Sequence, residues 1–237
     1  MIRSSFLIIS ILFAVPVFSQ HKDAGLWADC GLTWSPEKRW EFGLAPEIRL
    51  DENLSRLSRL FVDAQVQYKL SKEVFITAVY RQGIANSGEF YEMRQRVLTG
   101  IGMRQKFGQF TCTITSRWQA SLSGLGAESD ADFVTTWRNR LQVKYGGLKK
   151  TDLSGSFELF NSSSVYGALE LQSWRGILSL QRKLDKRTSV SVGYLVQKSL
   201  NDSPQEMDFV ILASFSKELK FGRKKEKEET PSDPADR

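Results

Sequence analysis

The sequence has a single histidine, His21, and only two cysteines, Cys30 and Cys112. A hydroxyl needs a neighbouring base to become a nucleophile, and His21 has no carboxylate at catalytic spacing apart from adjacent Asp23. A histidine-dependent hydrolase, including a lipid-modifying enzyme of the membrane surface, is therefore disfavoured, and an activity requiring intact His21 would be needed to revive it. Two cysteines without a histidine cluster cannot build a Cys/His zinc centre. No glycine-rich phosphate loop occurs, and the acidic stretch "GLGAESDAD" lacks the spacing of an EF-hand. The chain is thus expected to have no catalytic site, metal or cofactor. Cys30 and Cys112 fall on the apolar rows of separate segments and read as small buried or lipid-facing residues rather than a bridge.

Long apolar runs are also missing. A helical membrane protein would show several runs of about 18 or more residues, and the only candidate is the opening "MIRSSFLIISILFAVPVFSQ". Arg3 supplies a positive start, Phe6 to Phe18 an apolar core, and Val17 and Ser19 small residues before a cut, so residues 1–19 read as a cleaved signal peptide. Pro16 and the shortness of the run weigh against an uncleaved anchor helix. At the other end, "GRKKEKEETPSDPADR" balances its charges and has almost no apolar residue. Residues 222–237 are read as a disordered, charged periplasmic tail. The stretch between, 20–221, suffices for one domain.

Formal net charge is +6. Because Arg3 leaves with the leader and the tail is neutral, an excess of five positive charges belongs to residues 20–221. They form neither a basic helix nor a Lys/Arg run, so nucleic acid is not an expected partner.

The chain does contain alternation. In "RWEFGLAPEIRLD" every even position is apolar or proline (Trp40, Phe42, Leu44, Pro46, Ile48, Leu50), and the odd positions include Glu41, Glu47, Arg49 and Asp51. The period is two, that of a strand with unlike faces. It recurs in "AGLWADCGLTW", "RLFVDAQVQYKL", "VFITAVYR", residues 93–107, 110–119, "DFVTTWRNRLQVKY" and "LSGSFELF". Asn139 alone breaks the apolar row of its segment. In the last three segments the faces are less distinct, because Ile177, Leu195, Val210 and Leu212 put apolar residues on both sides. Short connections ("SPEK", "SKE", "FGQ", "GGLKK", "DKR") interleave with polar stretches read as long loops (51–58, 82–92, 120–131, 161–173, 198–206). That pattern predicts an all-β, up-and-down antiparallel transmembrane barrel of about ten to twelve strands. An odd count would imply a missing strand, or an N-terminal segment threaded through the lumen.

Facing follows from energy. A basic residue in lipid costs about 2–4 kcal/mol near the midplane and about 0–1 at the interface, so the even row of residues 40–50 should face outward. The lumen then receives Glu41, Glu47, Arg49, Asp63, Arg81, Arg94, Arg96, Arg104, Arg117, Arg138, Arg140 and Glu158, with Asp29, Lys69, Lys144 and Arg175. Opposite charges on neighbouring strands should pair and largely plug a narrow barrel; the alternative is a small pore whose arginine surplus favours an anionic solute. Aromatics should gather at the membrane interfaces. Trp34, Trp40, Tyr68, Tyr145 and Phe221 are assigned to the short-turn end, and Tyr80, Trp118 and Phe133 to the long-loop end.

The segments "GLW", "EIRLDENLSRLSRLFVDAQVQYKLSK", "WRNRLQVKY" and "SGSFELF", in that order, resemble the uncharacterised bacterial outer-membrane barrel family known as domain of unknown function 2490. The resemblance implies a signal peptide, a barrel in the outer membrane, a Bacteroidetes-type source and no established activity. The family pattern would place a His-Arg pair within "YEMRQRV", where this chain has Gln95-Arg96. The reading is a non-enzymatic outer-membrane protein with a narrow-channel, structural or surface role, whose partners are outer-membrane lipids and the barrel-insertion machinery. The rival is a soluble periplasmic lipocalin-like binder, whose apolar row would face inward around an apolar ligand.

Overall fold

The computed structural model describes residues 24–88, 90–125, 132–163, 169–201 and 207–220. The expected leader, His21, Phe221 and the tail at 222–237 lie outside the described residues.

Eleven strands close into one barrel: β1 (Ala24–Trp34), β2 (Trp40–Asp51), β3 (Arg56–Lys69), β4 (Val74–Asn86), β5 (Tyr91–Phe107), β6 (Phe110–Leu125), β7 (Asp132–Leu148), β8 (Thr151–Ser163), β9 (Leu169–Lys183), β10 (Thr188–Ser199) and β11 (Met207–Leu219). Consecutive strands pair antiparallel. With an odd number, the first and last strands must run the same way, and β1 pairs parallel with β11 from Ala24↔Phe209 to Trp34↔Leu219. The odd count therefore needs neither a missing strand nor a threaded segment, because residues from Ala24 onward are part of the wall. Closure leaves no unpaired edge.

Two loops expected to be long are tight. The β2–β3 connection is residues 52–55, and β4–β5 is joined through 87–90. The polar residues flanking them continue the strand ladders, so their polarity reflects lumen and rim rather than loop. In the first turn Glu52, Asn53 and Leu54 all have positive φ (48°, 55° and 68°), and the Ser55 amide donates back to the Asp51 and Glu52 carbonyls. At the opposite end, the Asp185 carboxylate accepts the Arg187 and Thr188 amides at 2.6 and 2.7 Å. Those bonds favour the ionised form and hold its pKa below the usual aspartate value.

The even row of β2 is on the outer face: Trp40, Phe42, Leu44 and Ile48 are all exposed, whereas Glu47 and Arg49 point inward and are only 15% and 12% accessible. The same outward row continues through Leu60, Ile76, Ile101, Ile114, Leu141, Phe157, Leu178, Val192 and Ile211. Asn139 is on this outer face too, opposite Ser116, whose hydroxyl donates to its Oδ1 at 2.7 Å. In the ambiguous strands the inner row is mixed, with Leu195 and Val210 buried inside beside the Arg175–Gln197 pair. Phe61, Phe75 and Leu98 are buried inside as well, so the inner wall mixes apolar and charged residues.

Close approach fixes Gly83, which pairs with Phe61. A Cβ there would meet the Leu60 carbonyl oxygen at 2.1 Å and Phe61 Cβ at 2.4 Å, so the ladder itself would have to move. Gly83→Ala is expected to destabilise the refolded barrel by about 1–3 kcal/mol in urea titrations. Gly155→Ala, where nothing lies within 4 Å, should stay within about 0.5 kcal/mol.

Candidate functional site

Inward positions on neighbouring strands face one another at equal height, which is how the alternation becomes a set of ion pairs. Around mid-strand, Arg81 forks onto Asp63 (Nε–Oδ1 2.6 Å, Nη2–Oδ2 2.7 Å) and reaches Glu47 at 3.2 Å. Glu47 also accepts Arg49 Nε at 2.6 Å. Across the lumen, Arg138 forks onto Glu158 with both contacts at 3.0 Å, and Arg117 adds a third at 2.7 Å. Arg138 completes its donors on Gln119 Oε1 at 2.9 Å. Glu158 is nearly inaccessible. Bidentate, buried pairs of this kind are strong and directional.

The carboxylates are outnumbered. Glu47 and Glu158 each serve two arginines. Among the described lumen residues Arg59, Arg96, Arg104, Arg140 and Arg175 have no carboxylate within ion-pair distance. Arg140 donates to Ser156 at 3.2 Å, and Arg175 Nε to Gln197 Oε1 at 2.9 Å. Arg96 makes no hydrogen bond to a described residue, and its buried Nε is unsatisfied. Its electrostatic neighbours are Arg81, Arg138, Arg49 and Arg59.

Aromatic rings take part of the load. The Arg49 guanidinium lies 3.4 Å over Trp27, with Arg175 5.2 Å from the same ring. Arg81 stacks on Phe61 at 3.9 Å, Arg104 on Phe75 at 5.2 Å, and Arg138 on Phe160 at 4.7 Å. A ring face attracts a cation without requiring a counter-charge.

Of the other residues assigned to the lumen, Glu41 meets Lys69 at 3.9 Å, and Arg94 meets Glu92 at 3.4 Å near the long-loop end. Sequence reasoning did not find Trp27, Phe61, Phe75 and Phe160 as stacking partners, nor Gln119 and Gln197 as acceptors. It also omitted Arg59, the first residue of "RLFVDAQVQYKL", although the alternation carried back from Leu60 places it on the inner row.

At the short-turn end Trp34, Phe42, Trp40 and Tyr68 form a continuous stack with centroid separations of 5.5, 6.0 and 4.6 Å, and Phe110 meets Tyr145 at 5.0 Å. Phe133 is exposed at the long-loop end of β7. Tyr80 and Trp118 stand at mid-strand instead, because β4 and β6 run well past them toward the long loops. Trp118 faces Trp137 across the β6–β7 ladder.

The mid-strand charges separate two inner chambers. One, of about 350 Å³ at the long-loop end, is bordered by Trp27, Arg49, Arg59, Arg175, Gln197 and Asp208. The other, of about 160 Å³ toward the short turns, includes Gln67, Phe75, Arg104, Thr115, Arg117 and Arg140. Among the described residues no group of three or more His, Cys, Asp or Glu side chains is placed to hold a metal.

Residues 24–208 match a family model described as "Protein of unknown function (DUF2490)". No curated protein matches the chain. Among solved structures it is similar to a loop deletion mutant of OmpT, an outer membrane protein of Vibrio cholerae. The two are 12% identical with a TM-score of 0.39, over 72% of this chain and 60% of that one. It is also similar to an anion-selective porin from Comamonas acidovorans, 13% identical with a TM-score of 0.35, over 71% of this chain and 51% of that one. The chain thus spans between half and two thirds of the length of these two structures.

Proposed function

The chain belongs to the DUF2490 family, and since that family's description assigns no activity, we propose from the barrel itself that it is a non-enzymatic outer-membrane protein acting as a narrow, anion-favouring channel. The outward apolar rows support residence in lipid. A soluble protein rarely exposes a contiguous apolar patch beyond a few hundred Å², whereas here the outer face is apolar around the barrel from Leu44 through Ile211. The aromatic stack at Trp34, Trp40 and Tyr68 suits a membrane–water interface. On this reading the leader directs export, the insertion machinery folds the barrel into the outer membrane, and the lipocalin-like alternative would need Trp40, Phe42, Leu44 and Ile48 to face inward, whereas they are exposed on the outer face.

The observation that carries channel selectivity is the shortage of carboxylates beside Arg59, Arg96, Arg140 and Arg175. A lumen with more fixed guanidinium than carboxylate attracts anions and repels cations. The paired belt at mid-strand narrows the path, so large solutes are excluded. Refolded protein in a planar bilayer under a potassium chloride gradient is expected to give small steps with a reversal potential favouring chloride. Silence under conditions that give heat-modifiable, refolded protein would instead assign a structural role, and a potassium-favouring reversal would overturn the selectivity.

A further inference from the structure

Arg49, Arg59 and Arg175 come from β2, β3 and β9, yet all three border the long-loop chamber. Two of them are oriented by contacts that leave donors spare. Arg49 is held by its stack on Trp27 and by the bond from Nε to Glu47. Arg175 spends Nε and Nη2 on the neutral Gln197 and leans on Trp27 and Phe160. Arg49 therefore keeps both terminal nitrogens, and Arg175 keeps Nη1. Arg59 makes no hydrogen bond to a described residue. Of the two carboxylates at the chamber, Asp51 is occupied by Arg56 at 3.1 Å, and Asp208 also has a partner. Beside the chamber's arginines stands Arg96, with its buried, unsatisfied Nε.

We propose that this chamber is a binding site for a tetrahedral oxyanion of the phosphate class, gripped by Arg59 together with Arg49 and Arg175. The inference rests on the lumen reading above and adds a resident ligand to it. Arg49 and Arg59 are paired directly across the β2–β3 ladder, and Arg175 joins Arg49 at the Trp27 ring, so three guanidinium groups border one cavity. A planar carboxylate satisfies one or two forks, whereas a tetrahedral anion offers acceptors in several directions at once. Bringing like charges together without enough carboxylate is costly, and an anion shared among them removes that cost. About 350 Å³ admits an inorganic phosphate with its waters, or the phosphoryl group of a larger molecule entering from the long-loop end.

Calorimetric titration of inorganic phosphate into the refolded, detergent-solubilised full chain is the test. Saturable binding is expected, weakened at least about tenfold by Arg59→Gln and only partly restored by Arg59→Lys, which keeps the charge and loses the fork. Arg104→Gln, at the other chamber, should leave binding unchanged. Heat-modifiable mobility confirms that each variant is folded, and Arg175→Gln provides a second independent variant. A parallel titration with a soluble phosphomonoester and with phosphate-headgroup lipid in mixed micelles identifies the source: competition by either keeps the site and names its occupant. Absence of saturable phosphate binding, or binding as tight as the parent's by both Arg59→Gln and Arg175→Gln, overturns the proposal. Chloride-selective conductance without phosphate binding sinks the site but leaves the channel, and binding without conductance does the reverse.

Discussion

Replacing Glu158 by alanine is expected to cost about 3–5 kcal/mol of stability, the range for stripping a buried charge of its partner. The carboxylate is 3% exposed and accepts from Arg138 twice and Arg117 once. Both guanidiniums also lose their principal counter-charge, and Arg138 keeps only Gln119 and the Phe160 ring. The loss should come mainly from the two stranded cations rather than from the missing contacts. Glu158→Ala combined with Arg138→Leu should therefore cost less than the two single changes added together. Urea titration of the refolded barrel, followed by tryptophan fluorescence, measures all three variants. An unchanged midpoint for Glu158→Ala would mean that water screens these arginines and that the lumen is wetter than its pairing implies.

Much of this network was legible before any coordinates. Period two placed Glu47, Asp63, Arg81, Arg138 and Glu158 on one face of their strands, and the cost of charge in lipid turned that face inward. Register was not legible, because pairing partners depend on where each ladder begins. The polar stretches 51–58 and 82–92 look like loops, yet half of the first and most of the second are strand. Asn139 broke its row for a reason visible only across the ladder, the hydroxyl of Ser116. Ile177, Leu195, Val210 and Leu212 defeated the two-face rule because the inner row of that sector carries apolar side chains among polar ones such as Arg175 and Gln197. Tyr80 and Trp118 were assigned by their nearness to polar sequence, and the strands simply continue beyond them. The parallel β1–β11 closure follows from an odd strand count alone, though no single segment announces it.

Leu44→Arg is expected to cost about 2–4 kcal/mol if hydrocarbon surrounds the barrel, since Leu44 is exposed on the outer face near the middle of β2. Its neighbour in sequence serves as the control. Ala45 pairs with Asp63 across the β2–β3 ladder on the inner row, so Ala45→Lys gains an acidic neighbour in a polar lumen and should cost far less. If bulk water bathed the outer face, the order would invert: an exposed leucine exchanged for arginine would be near neutral, and a lysine forced into the interior would be the damaging change. Comparing the two variants for partition into the outer-membrane fraction and for urea midpoint in lipid vesicles therefore reports which solvent the outer row meets. A Leu44→Arg protein that inserts and unfolds like the parent would remove the ground for placing this barrel in a membrane, and the channel reading would go with it.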